Sequence, residues 1–405
     1  MMHLLFINRF FYPDQSATAR ILTDLVRGLV VQGFRVTVLT GRVGYLGGEQ
    51  VLPPADTYRG VTVRRVWSSR FGRGSVVGRL ADYLSFYLSA AWVAIRSKGV
   101  DCFVVLSDPP MLSVLAVLLG RLKGWKTVCW LQDVFPEIAV QAGLLKDGRL
   151  TGVLRWVAHW SLRGCHRVIV VGRCMERHLL RVGIPRDRVM VISNWADGDS
   201  LTPVAPHDNW FRKEHGLEGR LVVMYSGNLG VVHETDALIE VVRRLQAMPE
   251  VCVLIVGEGQ GKDRLEEWVR REGLKGVKFL GYQAQEALQY SLSAGDIHLV
   301  TLRPEMEGLS VPSKVYGIMA VGRPVVFIGP EGSEVAALVR EASCGEVFSP
   351  AEHEKATLGL LALTQDAGRR ERLGIAGRRY FEACLDKKFA IQRFQAVFQR
   401  VVSEG

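Results

Sequence analysis

Apolar residues follow two alternating patterns along the first half of the chain. Short apolar runs, typical of strands buried in a parallel sheet, alternate with longer stretches whose apolar residues recur at helical spacing. The runs predict strands at 4–7, 36–39, 61–66, 102–106, 127–131, 168–171 and 189–192. The stretches between them predict helices at 17–31, 76–98, 111–122, 150–163 and 174–182. This alternation predicts an α/β fold with a doubly wound parallel sheet, whose ligands bind beyond the carboxyl ends of the strands.

The same alternation restarts in the second half, after a polar linker that contains prolines. Strands are predicted at 221–225, 251–256, 277–280, 297–302, 325–328 and 346–348, with helices between them. The stretch 194–199 closes the first half and leads into this linker, which runs through Pro203 and Pro206 to about Glu214. At 405 residues the chain is long enough for two separate cores. We therefore expect one α/β domain over residues 1–200 and a second over residues 201–385.

The composition is that of a folded protein, with 48% hydrophobic and 23% charged residues. Seven cysteines are scattered along the chain, mostly within apolar runs, as expected for buried thiols in a reducing compartment. The first apolar run has neither a basic leader nor a small-residue cleavage site. The run 111–119 is only about half as long as a bilayer-spanning helix. We therefore expect a cytoplasmic location.

The net charge of +10 is concentrated in the first half. Residues 1–200 hold 26 Lys and Arg against 14 Asp and Glu, whereas the remainder holds 25 against 27. A basic half of this kind attracts phosphate-rich partners, either nucleic acid or an anionic membrane. Because no zinc-finger, RNA-recognition or helix-turn-helix motif accompanies the charge, we expect no nucleic acid partner and favour a peripheral association with the anionic inner face of the plasma membrane. A solvated basic face without a partner is the alternative.

Two predicted helices of this half mix aromatic residues with arginine. The stretch 76–98 carries Trp92, and the stretch 150–163 carries Trp156 and Trp160. This mixture suits a membrane interface or a lipid-linked substrate. An amphipathic helix packed on the sheet gives the same pattern, so both interpretations stay open.

The segment 305–328 carries the strongest candidate for binding chemistry. Its loop leads into a helix that is predicted to open at Pro312, Ser313 and Lys314, and a Gly-Arg-Pro turn then precedes a buried strand. The first amides of a helix, here those near Ser313, Lys314 and Val315, lack partners within it and attract anions. With the Lys314 ammonium beside them, a phosphate or diphosphate is the expected guest. An ordinary capped helix with a surface lysine is the alternative.

Other loops after predicted strands also carry polar residues. The first loop, 8–20, contains Ser16 but no Gly-x-Gly-x-x-Gly pattern, which argues against a dinucleotide-binding enzyme. After the strand at 127–131 come Asp133 and Glu137. Asp133 could accept a proton from an acceptor hydroxyl or orient it. For all three side chains, simple helix capping is the alternative.

The segment VPSKVYGIMAVGRP, residues 311–324, resembles the donor-site helix of GT-B glycosyltransferases of family 4. It is most similar to the branch of L-fucosamine and colanic-acid-type transferases, in which GLxVPSKxYxxxAxGRP is a familiar form. The two acidic residues usual in the wider family fall here on Leu309 and Gly317. The resemblance implies two Rossmann-like domains that face a cleft, and a terminal helix at about 386–405 that crosses back onto the first domain.

The resemblance also implies roles for single residues. The catalytic residues would be Lys314, together with Asp133 and Glu137 from an element that resembles the QDxxPE form of the same branch. The donor would be bound by residues of the donor-site helix and of loops that follow strands: Ser16, Ala17, Gly227, Asn228, His233, Gly257, Glu258, Gly281, Tyr282, Leu309, Ser313, Lys314, Val315 and Glu334. Among these, Asn228 and His233 stand where many members carry Arg and Lys, and the donor diphosphate would protonate His233. Glu334 would replace the missing ribose contact.

The activity implied by the resemblance is retaining transfer of a hexosyl or N-acetylaminosugar group. The donor would be a nucleotide sugar, with UDP favoured over GDP, and the acceptor a saccharide or polyprenyl-diphosphate-linked precursor of a lipopolysaccharide, capsule or other cell-surface polysaccharide. We expect no metal or other cofactor, since the Asp-x-Asp string of Asp197 and Asp199 lies in the linker. Two rivals stay open: a nucleotide-sugar epimerase or hydrolase of the same architecture, and a non-catalytic protein that binds nucleotide sugar.

Overall fold

The computed structural model describes residues 1–44, 51–72 and 76–404, without the side chains of residues 76 and 353. The chain forms two compact units. The first comprises Met1–Ser193 together with Lys387–Gly405, and the second comprises Asn194–Asp386. Each unit contains one sheet with helices packed against it.

The elements are numbered in chain order. The strands of the described ranges are β1 (His3–Ile7), β2 (Arg35–Gly41), β3 (Ala55–Tyr58), β4 (Val61–Val66), β5 (Cys102–Val105), β6 (Lys126–Leu131), β7 (Arg167–Val170), β8 (Val189–Val191), β9 (Leu221–Ser226), β10 (Val251–Val256), β11 (Val277–Leu280), β12 (Ile297–Thr301), β13 (Val325–Ile328) and β14 (Gly345–Phe348). The α-helices are α1 (Ala17–Val31), α2 (Val76–Ile95), α3 (Leu112–Lys123), α4 (Glu137–Gln141), α5 (Arg149–Gly164), α6 (Arg173–Arg181), α7 (Trp210–Glu214), α8 (Thr235–Leu245), α9 (Gln260–Arg271), α10 (Leu288–Ala294), α11 (Lys314–Ala320), α12 (Glu334–Glu341), α13 (His353–Gln365), α14 (Ala367–Cys384) and α15 (Lys387–Ser403).

The sheet of the first unit follows the order β3-β4-β2-β1-β5-β6-β7-β8. Its pairings are parallel except for the edge pairing of β3 with β4. Central strands such as β1 are buried along their whole length, as expected of a parallel sheet with helices on its faces, and this explains their continuous apolar runs. The sequence analysis missed β3 because three of its four residues are exposed at the sheet edge and form no apolar run.

The sheet of the second unit follows the order β11-β10-β9-β12-β13-β14 and is parallel throughout. Its six strands lie within one residue of their predicted positions. Strand β10 is buried at every position, and residues of β9, β12 and β13 share its core. The predicted class, an α/β protein with two doubly wound parallel sheets, is confirmed.

The terminal helix α15 belongs to the first unit. Phe394 and Phe398 of this helix are fully buried, and their rings lie 4.7 Å from that of Trp130 and 5.9 Å from that of Phe6, respectively. Helix α15 also packs on α1, where a Cβ at Gly28 would lie 2.3 Å from the side chain of Ile391. Aromatic burial therefore fixes the last helix of the chain on the first sheet.

The division between the units differs from the predicted one at residue 200. Residues from Asn194 onwards belong to the second unit, because hydrogen bonds tie their backbone to the end of α14. The Gly198 amide donates to Asp386 Oδ2 at 3.1 Å, and Arg378 donates to the Leu201 carbonyl at 2.7 Å. The segment read as a linker therefore packs on the second unit from its first residues.

No helix in the described ranges combines the length and the apolar character that a membrane span requires.

Replacing Phe398 by alanine should destabilise the first unit by about 3–5 kcal/mol, because the change empties a fully buried aromatic site between α15 and β1. Chemical unfolding followed by a probe in the first unit would measure the loss. Phe389→Ala, at a half-buried position of the same helix, is the control and should cost less. Equal stability of the Phe398 variant and the wild type would contradict the packing described for α15.

Candidate active site

The second sheet reverses its direction of growth between β9 and β12. Strand β9 pairs with β10 on one side and with β12 on the other, and the chain then continues outward to β11 on one side and to β13 on the other. In open α/β sheets, ligands bind at such a switch point, beyond the carboxyl ends of the strands. Lys314, the first residue of α11, reaches into the loop after β9, where its ammonium donates to the Tyr225 hydroxyl and to the Asn228 carbonyl. The predicted lysine therefore lies at the switch point.

The Lys314 ammonium has only neutral partners in the part of the chain that the structure describes. Its Nζ lies 3.8 Å from the centroid of the Tyr225 ring and 3.4 Å from the Asn228 carbonyl oxygen. Burial lowers the pKa of Lys314 well below its ordinary value. A nearby negative charge favours the charged form of a lysine, so an anionic ligand would raise this pKa again. The neutral surroundings of Lys314 therefore favour an anion as the ligand of this site.

Glycines bring the loops after β9 and β10 into contact beside Lys314. Gly227 and Gly257 have φ angles of +123° and +129°, in the region that favours glycine. A Cβ at Gly257 would lie 2.2 Å from the Gly227 carbonyl oxygen, and a Cβ at Gly227 would lie 3.3 Å from Lys314 Cε. The Gly227 amide donates to the Val256 carbonyl at 2.8 Å. The two loops thus form a single surface next to the ammonium.

Asn228 and Glu258 lie on this surface with different partners. The Asn228 carbonyl accepts a hydrogen bond of 3.0 Å from the Tyr225 hydroxyl, whereas its side chain is exposed. The Glu258 carboxylate is half exposed and lies 3.5 Å from the Lys262 ammonium. A Cβ at Gly281 would lie 3.2 Å from Glu258 Oε1. The structure therefore brings the predicted residues Gly227, Gly257, Glu258 and Gly281 together at the ends of β9, β10 and β11.

His233 is buried beside the same switch point. Its Nδ1–H donates to the Thr301 carbonyl at 2.8 Å, and its ring packs edge-on against Tyr225. Burial lowers the pKa of His233 well below its ordinary value, the Lys314 charge adds to this effect, and the hydrogen bond to Thr301 opposes it. His233 is therefore neutral without a ligand, and its protonation by a bound diphosphate stays a prediction.

The start of α11 differs from the predicted one. The helix begins at Lys314, and Pro312 lies outside it. The Tyr316 amide turns back to the Ser313 carbonyl at 3.3 Å, so the regular helix starts one residue after Ser313. Val315 is fully buried, which leaves only its backbone for a ligand.

The other predicted donor residues of the second unit lie at different depths. Leu309 stands where the wider family carries an acidic residue, and it is buried, with 4% of its surface exposed. Its side chain is therefore not presented at the surface. Tyr282 is half exposed after β11. Glu334 is buried in the first turn of α12, and Ser333 rather than Glu334 caps that helix by accepting from the Ala336 amide at 3.3 Å.

Ser16 and Ala17 lie in the first unit, at the start of α1. Ser16 is the N-cap residue, but its side chain makes no capping bond. Its amide donates instead to Asp14 Oδ1 at 2.7 Å. This amide is therefore engaged by a carboxylate, and the predicted role of Ser16 in donor binding stays a prediction. Ala17 is exposed as the first residue of the helix.

Asp133 and Glu137 follow β6 in the first unit and face different partners. Asp133 lines a pocket of about 20 Å³ together with Ser107 and Met111. Met111 has a φ of +68°, which is uncommon for a residue other than glycine and marks strained backbone beside Asp133. Glu137 begins α4 and its Oε1 pairs with Nε2 of His159 on α5 at 2.9 Å.

The pair of Glu137 and His159 keeps the carboxylate ionised. Burial alone would raise the pKa of Glu137, but the hydrogen bond from His159 and the proximity of His159 and His178 bring this pKa below its ordinary value. Burial lowers the pKa of His178. Glu137 thus fastens the loop after β6 to α5, and its predicted catalytic role stays a prediction.

No set of three or more His, Cys, Asp and Glu side chains in the described ranges is placed to hold a metal ion. In the Asp-x-Asp string, Asp197 Oδ1 accepts from the Asp199 amide at 3.1 Å. The Asp197 carbonyl accepts from the Ser200 and Leu201 amides. The string therefore forms a turn.

Two family models match this chain, one for each half. The model for the glycosyl transferase 4-like domain matches residues 16–195, and the model for glycosyl transferases group 1 matches residues 207–380. The chain belongs to the family 4 glycosyltransferases. The second match contains the loops around Lys314, and the first contains Asp133 and Glu137.

Two relatives of this glycosyltransferase are themselves named as glycosyltransferases. WbjE of Pseudomonas aeruginosa, named as a glycosyltransferase, is 28% identical over 66% of this chain and 66% of its own length. WcaI of Escherichia coli (strain K12), named as a colanic acid biosynthesis glycosyl transferase, is 28% identical over 95% of this chain and 96% of its own. Among solved structures, Anabaena HepE in complex with UDP-glucose matches with a TM-score of 0.74 and 17% identity, over 99% of this chain and 100% of HepE. The fold of the glycosyltransferase is GT-B.

Sequence reasoning missed three residues near the strand ends of the second sheet. Tyr225 carries the hydroxyl between Lys314 and Asn228, and its position at the carboxyl end of a predicted strand was an available signal. Lys262 is buried and donates to the Gly257 and Leu280 carbonyls, which ties the ends of β10 and β11 together.

Arg303 follows β12 and is the third missed residue. Its guanidinium donates to the Val231 carbonyl at 3.3 Å, and its amide donates to the Val232 carbonyl at 3.0 Å. The guanidinium also pairs with Glu305 at 3.5 Å. A second cation therefore lies beside the loop that leads to His233, although no motif in the sequence marks it.

Replacing Gly257 by alanine should cost about 3 kcal/mol of stability in the second unit, since a Cβ would meet the Gly227 carbonyl and the φ is unfavourable for alanine. Gly273→Ala is the matched control, because its φ is also positive but no atom lies within 4 Å of the added Cβ. Denaturant unfolding would compare the two variants. Equal losses would show that the two loops do not touch.

Acidification below about pH 6.5 should destabilise the second unit. The reason is that burial keeps the pKa of His233 in the folded protein well below that of an unfolded histidine, so that only the unfolded state binds the proton. The loss of stability on acidification should be smaller in His233→Gln. This loss should not vanish, since burial also lowers the pKa of His298, to about 4. Thermal unfolding at pH 7.5 and at pH 5, which lie on either side of the ordinary histidine pKa of about 6.5, would measure this loss. The control is His207→Gln at an exposed position. An unchanged pH slope in the His233 variant would contradict a neutral His233.

Proposed function

We propose that this glycosyltransferase retains configuration while it moves a hexosyl or N-acetylaminosugar group from a nucleoside-diphosphate sugar to a lipid-linked or saccharide acceptor in cell-surface polysaccharide synthesis. A UDP-sugar is favoured over a GDP-sugar, and HepE, which shares the fold, was solved with UDP-glucose. The relative WcaI, named for colanic acid biosynthesis, supports a polysaccharide precursor such as that of a lipopolysaccharide or capsule as the product class. The acceptor carrier in this proposal is a polyprenyl diphosphate.

The observation that carries the donor part of the proposal is the ammonium of Lys314. It is partly buried, its described partners are a hydroxyl, a carbonyl and an aromatic ring, and its pKa is lowered. The diphosphate of a nucleotide sugar supplies the missing negative charge. Its charge grows as the sugar leaves, so a fixed ammonium stabilises the transition state more than the ground state.

The proposed transfer needs no nucleophilic carboxylate. The acceptor hydroxyl oxygen forms a bond to the anomeric carbon while the bond from that carbon to the diphosphate oxygen breaks. The bonding electrons pass to the diphosphate, and the acceptor proton moves to a phosphate oxygen on the same face of the sugar. Lys314 meets the charge left on the diphosphate, so we expect no metal ion to be required.

The first unit supplies the acceptor side in this proposal. Asp133 follows β6 at the carboxyl edge of the first sheet and would orient the acceptor hydroxyl. Within residues 1–200, basic residues outnumber acidic ones, which suits an anionic membrane surface that carries the lipid-linked acceptor. The protein would therefore act from the cytoplasm as a peripheral protein on the inner face of the plasma membrane.

Lys314→Ala should lower turnover by about 10² or more, in line with the loss of one charge that acts on the transition state. Release of nucleoside diphosphate from a UDP-sugar in the presence of acceptor is the measurement. The control is Lys275→Ala, at an exposed lysine of the same unit. An undiminished rate in the Lys314 variant would remove this lysine from the mechanism.

A screen of UDP-, GDP- and dTDP-sugars by thermal shift identifies the donor, because a ligand that binds the folded state raises its apparent stability. Adding acceptor then separates the proposal from its rivals. Donor consumption without any acceptor would favour a hydrolase or epimerase. Donor binding without turnover under every acceptor would favour a non-catalytic protein.

A further inference from the structure

Helices α2, α3 and α5 of the first unit lie side by side. Helix α3 packs against α2 on one side and against α5 on the other, and its own buried face covers β5 and β6. The three helices therefore form one continuous layer over the first sheet. What this layer exposes outward determines which partners it can meet.

The outward side of α2 is more apolar than its buried side. Leu80, Leu84, Leu88 and Trp92 recur at every fourth position and are 60, 61, 65 and 61% exposed. The opposite side, which is buried, carries Gly78, Asp82, Phe86, Ala90 and Ala94. A helix that packs only on its own sheet would place its leucines inward. The exposed leucines of α2 therefore indicate that a second apolar phase covers them.

The neighbouring helices continue the exposed apolar surface. Leu118 and Leu122 of α3 lie one turn apart and are both exposed, as are Leu150 and Trp156 of α5. Exposed apolar residues on three adjacent helices are more than the scattered single residues normal for a protein surface. We name this surface, defined by the outward residues of α2, α3 and α5, the apolar helical face.

The charges on this layer are of one sign. The three helices contain six basic residues and one acidic residue, Asp82. Asp82 is buried, and its carboxylate accepts from the Ser69 hydroxyl at 2.7 Å and from the Phe71 and Gly72 amides at 3.0 Å each. No carboxylate of these helices is therefore exposed.

Asp82 also anchors exposed aromatic residues beside α2. Its hydrogen bonds hold the segment around Ser69 and Phe71 against the helix. Phe71 is 70% exposed, and Trp67, shortly before it, is 62% exposed. A buried carboxylate thus fixes a segment that presents aromatic rings to the outside. Aromatic rings of this kind favour the boundary between lipid and water.

Cations flank the apolar residues. The Arg96 guanidinium lies 3.1 Å from the centroid of the Trp92 ring, and the Lys123 ammonium donates to the Ile95 carbonyl at 3.0 Å. Arg121 lies over the ring of Trp160 at 5.6 Å. At the far end, Arg155 is paired with Asp147 and contributes less net charge. The positive charges near Trp92 and α3 are therefore available to an anionic surface.

We propose that the apolar helical face docks on an anionic lipid bilayer, with the leucines of α2 and α3 entering the acyl boundary and Arg96, Arg121 and Lys123 among the headgroups. This inference rests on the peripheral location in the proposed function and adds the surface that produces it. Burial of apolar side chains and attraction to anionic lipid add to each other in such docking. A second copy of the chain fits less well, since a self-complementary contact would set the basic residues of two layers against each other.

Co-sedimentation of the full-length protein with vesicles tests the proposal. Vesicles of phosphatidylcholine with and without about one third phosphatidylglycerol separate the apolar from the electrostatic contribution. Wild type should bind the anionic vesicles at least about ten-fold better than the neutral ones, and high salt should weaken this binding. Leu84→Glu/Leu88→Glu should lose at least about ten-fold of the binding, because both charges would enter the acyl boundary. Arg121→Gln/Lys123→Gln should weaken binding to the anionic vesicles and leave binding to the neutral vesicles unchanged.

The matched control is Leu358→Glu, at a leucine that is also 60% exposed but lies in the second unit. Its vesicle binding should equal that of wild type, and thermal unfolding should confirm that each variant folds. Unchanged vesicle binding in the Leu84/Leu88 variant would overturn the assignment of the surface. Sedimentation velocity tests the alternative of self-association. The apolar helical face would be assigned to self-association if wild type were a dimer, the Leu84/Leu88 variant were a monomer and neither protein bound vesicles. The thermal shift produced by UDP-sugar is the independent readout for the proposed function. If UDP-sugar produced no shift in wild type, the proposed donor would be wrong, and the vesicle binding would be unaffected.

Discussion

A partly buried ammonium with neutral neighbours is the constraint around which the second unit is arranged. Removing a lysine from water disfavours its charged form, and the Tyr225 hydroxyl and Asn228 carbonyl restore only part of its hydration. Without a ligand, the site is therefore less favourable for the charged form of Lys314 than solvent is, and in the proposed function the donor diphosphate would reverse that balance. His233 experiences the same field, because the Lys314 charge adds to the effect of burial on its pKa. In the proposed function, donor binding would therefore act on both basic groups through one anion.

This arrangement depends on two backbone segments that approach each other more closely than a side chain on either would allow. Gly227 and Gly257 bring the loops after β9 and β10 into contact, and Gly227 also leaves room for the Lys314 stem. Lys262 adds a second fastening, from α9 to the ends of β10 and β11. The cation is thus held against closely packed backbone at the ends of the strands, which favours pre-organised stabilisation of charge.

The order of strands and helices followed from the sequence because buried parallel strands are continuous apolar runs, and nearly all of them lie where predicted. Strand β3 gave no such run, since it is exposed at the sheet edge. At the site, the VPSK segment identified Lys314, but the partners of Lys314 and Glu137 come from distant positions. Tyr225 lies 89 residues before Lys314 and His159 lies 22 residues after Glu137, and only the fold brings each pair together.

Helix α2 shows a different limit of sequence reasoning. Periodicity reports that a helix has two faces but not which face turns inward when both are apolar. In α2 the leucines turn outward and the alanines turn toward the sheet, where small residues permit close packing. The single carboxylate of the layer turns inward and is saturated with hydrogen bonds, so its charge does not oppose an anionic surface. Both features reduce the apolar burial within the unit, and the proposed docking on a bilayer would restore that burial.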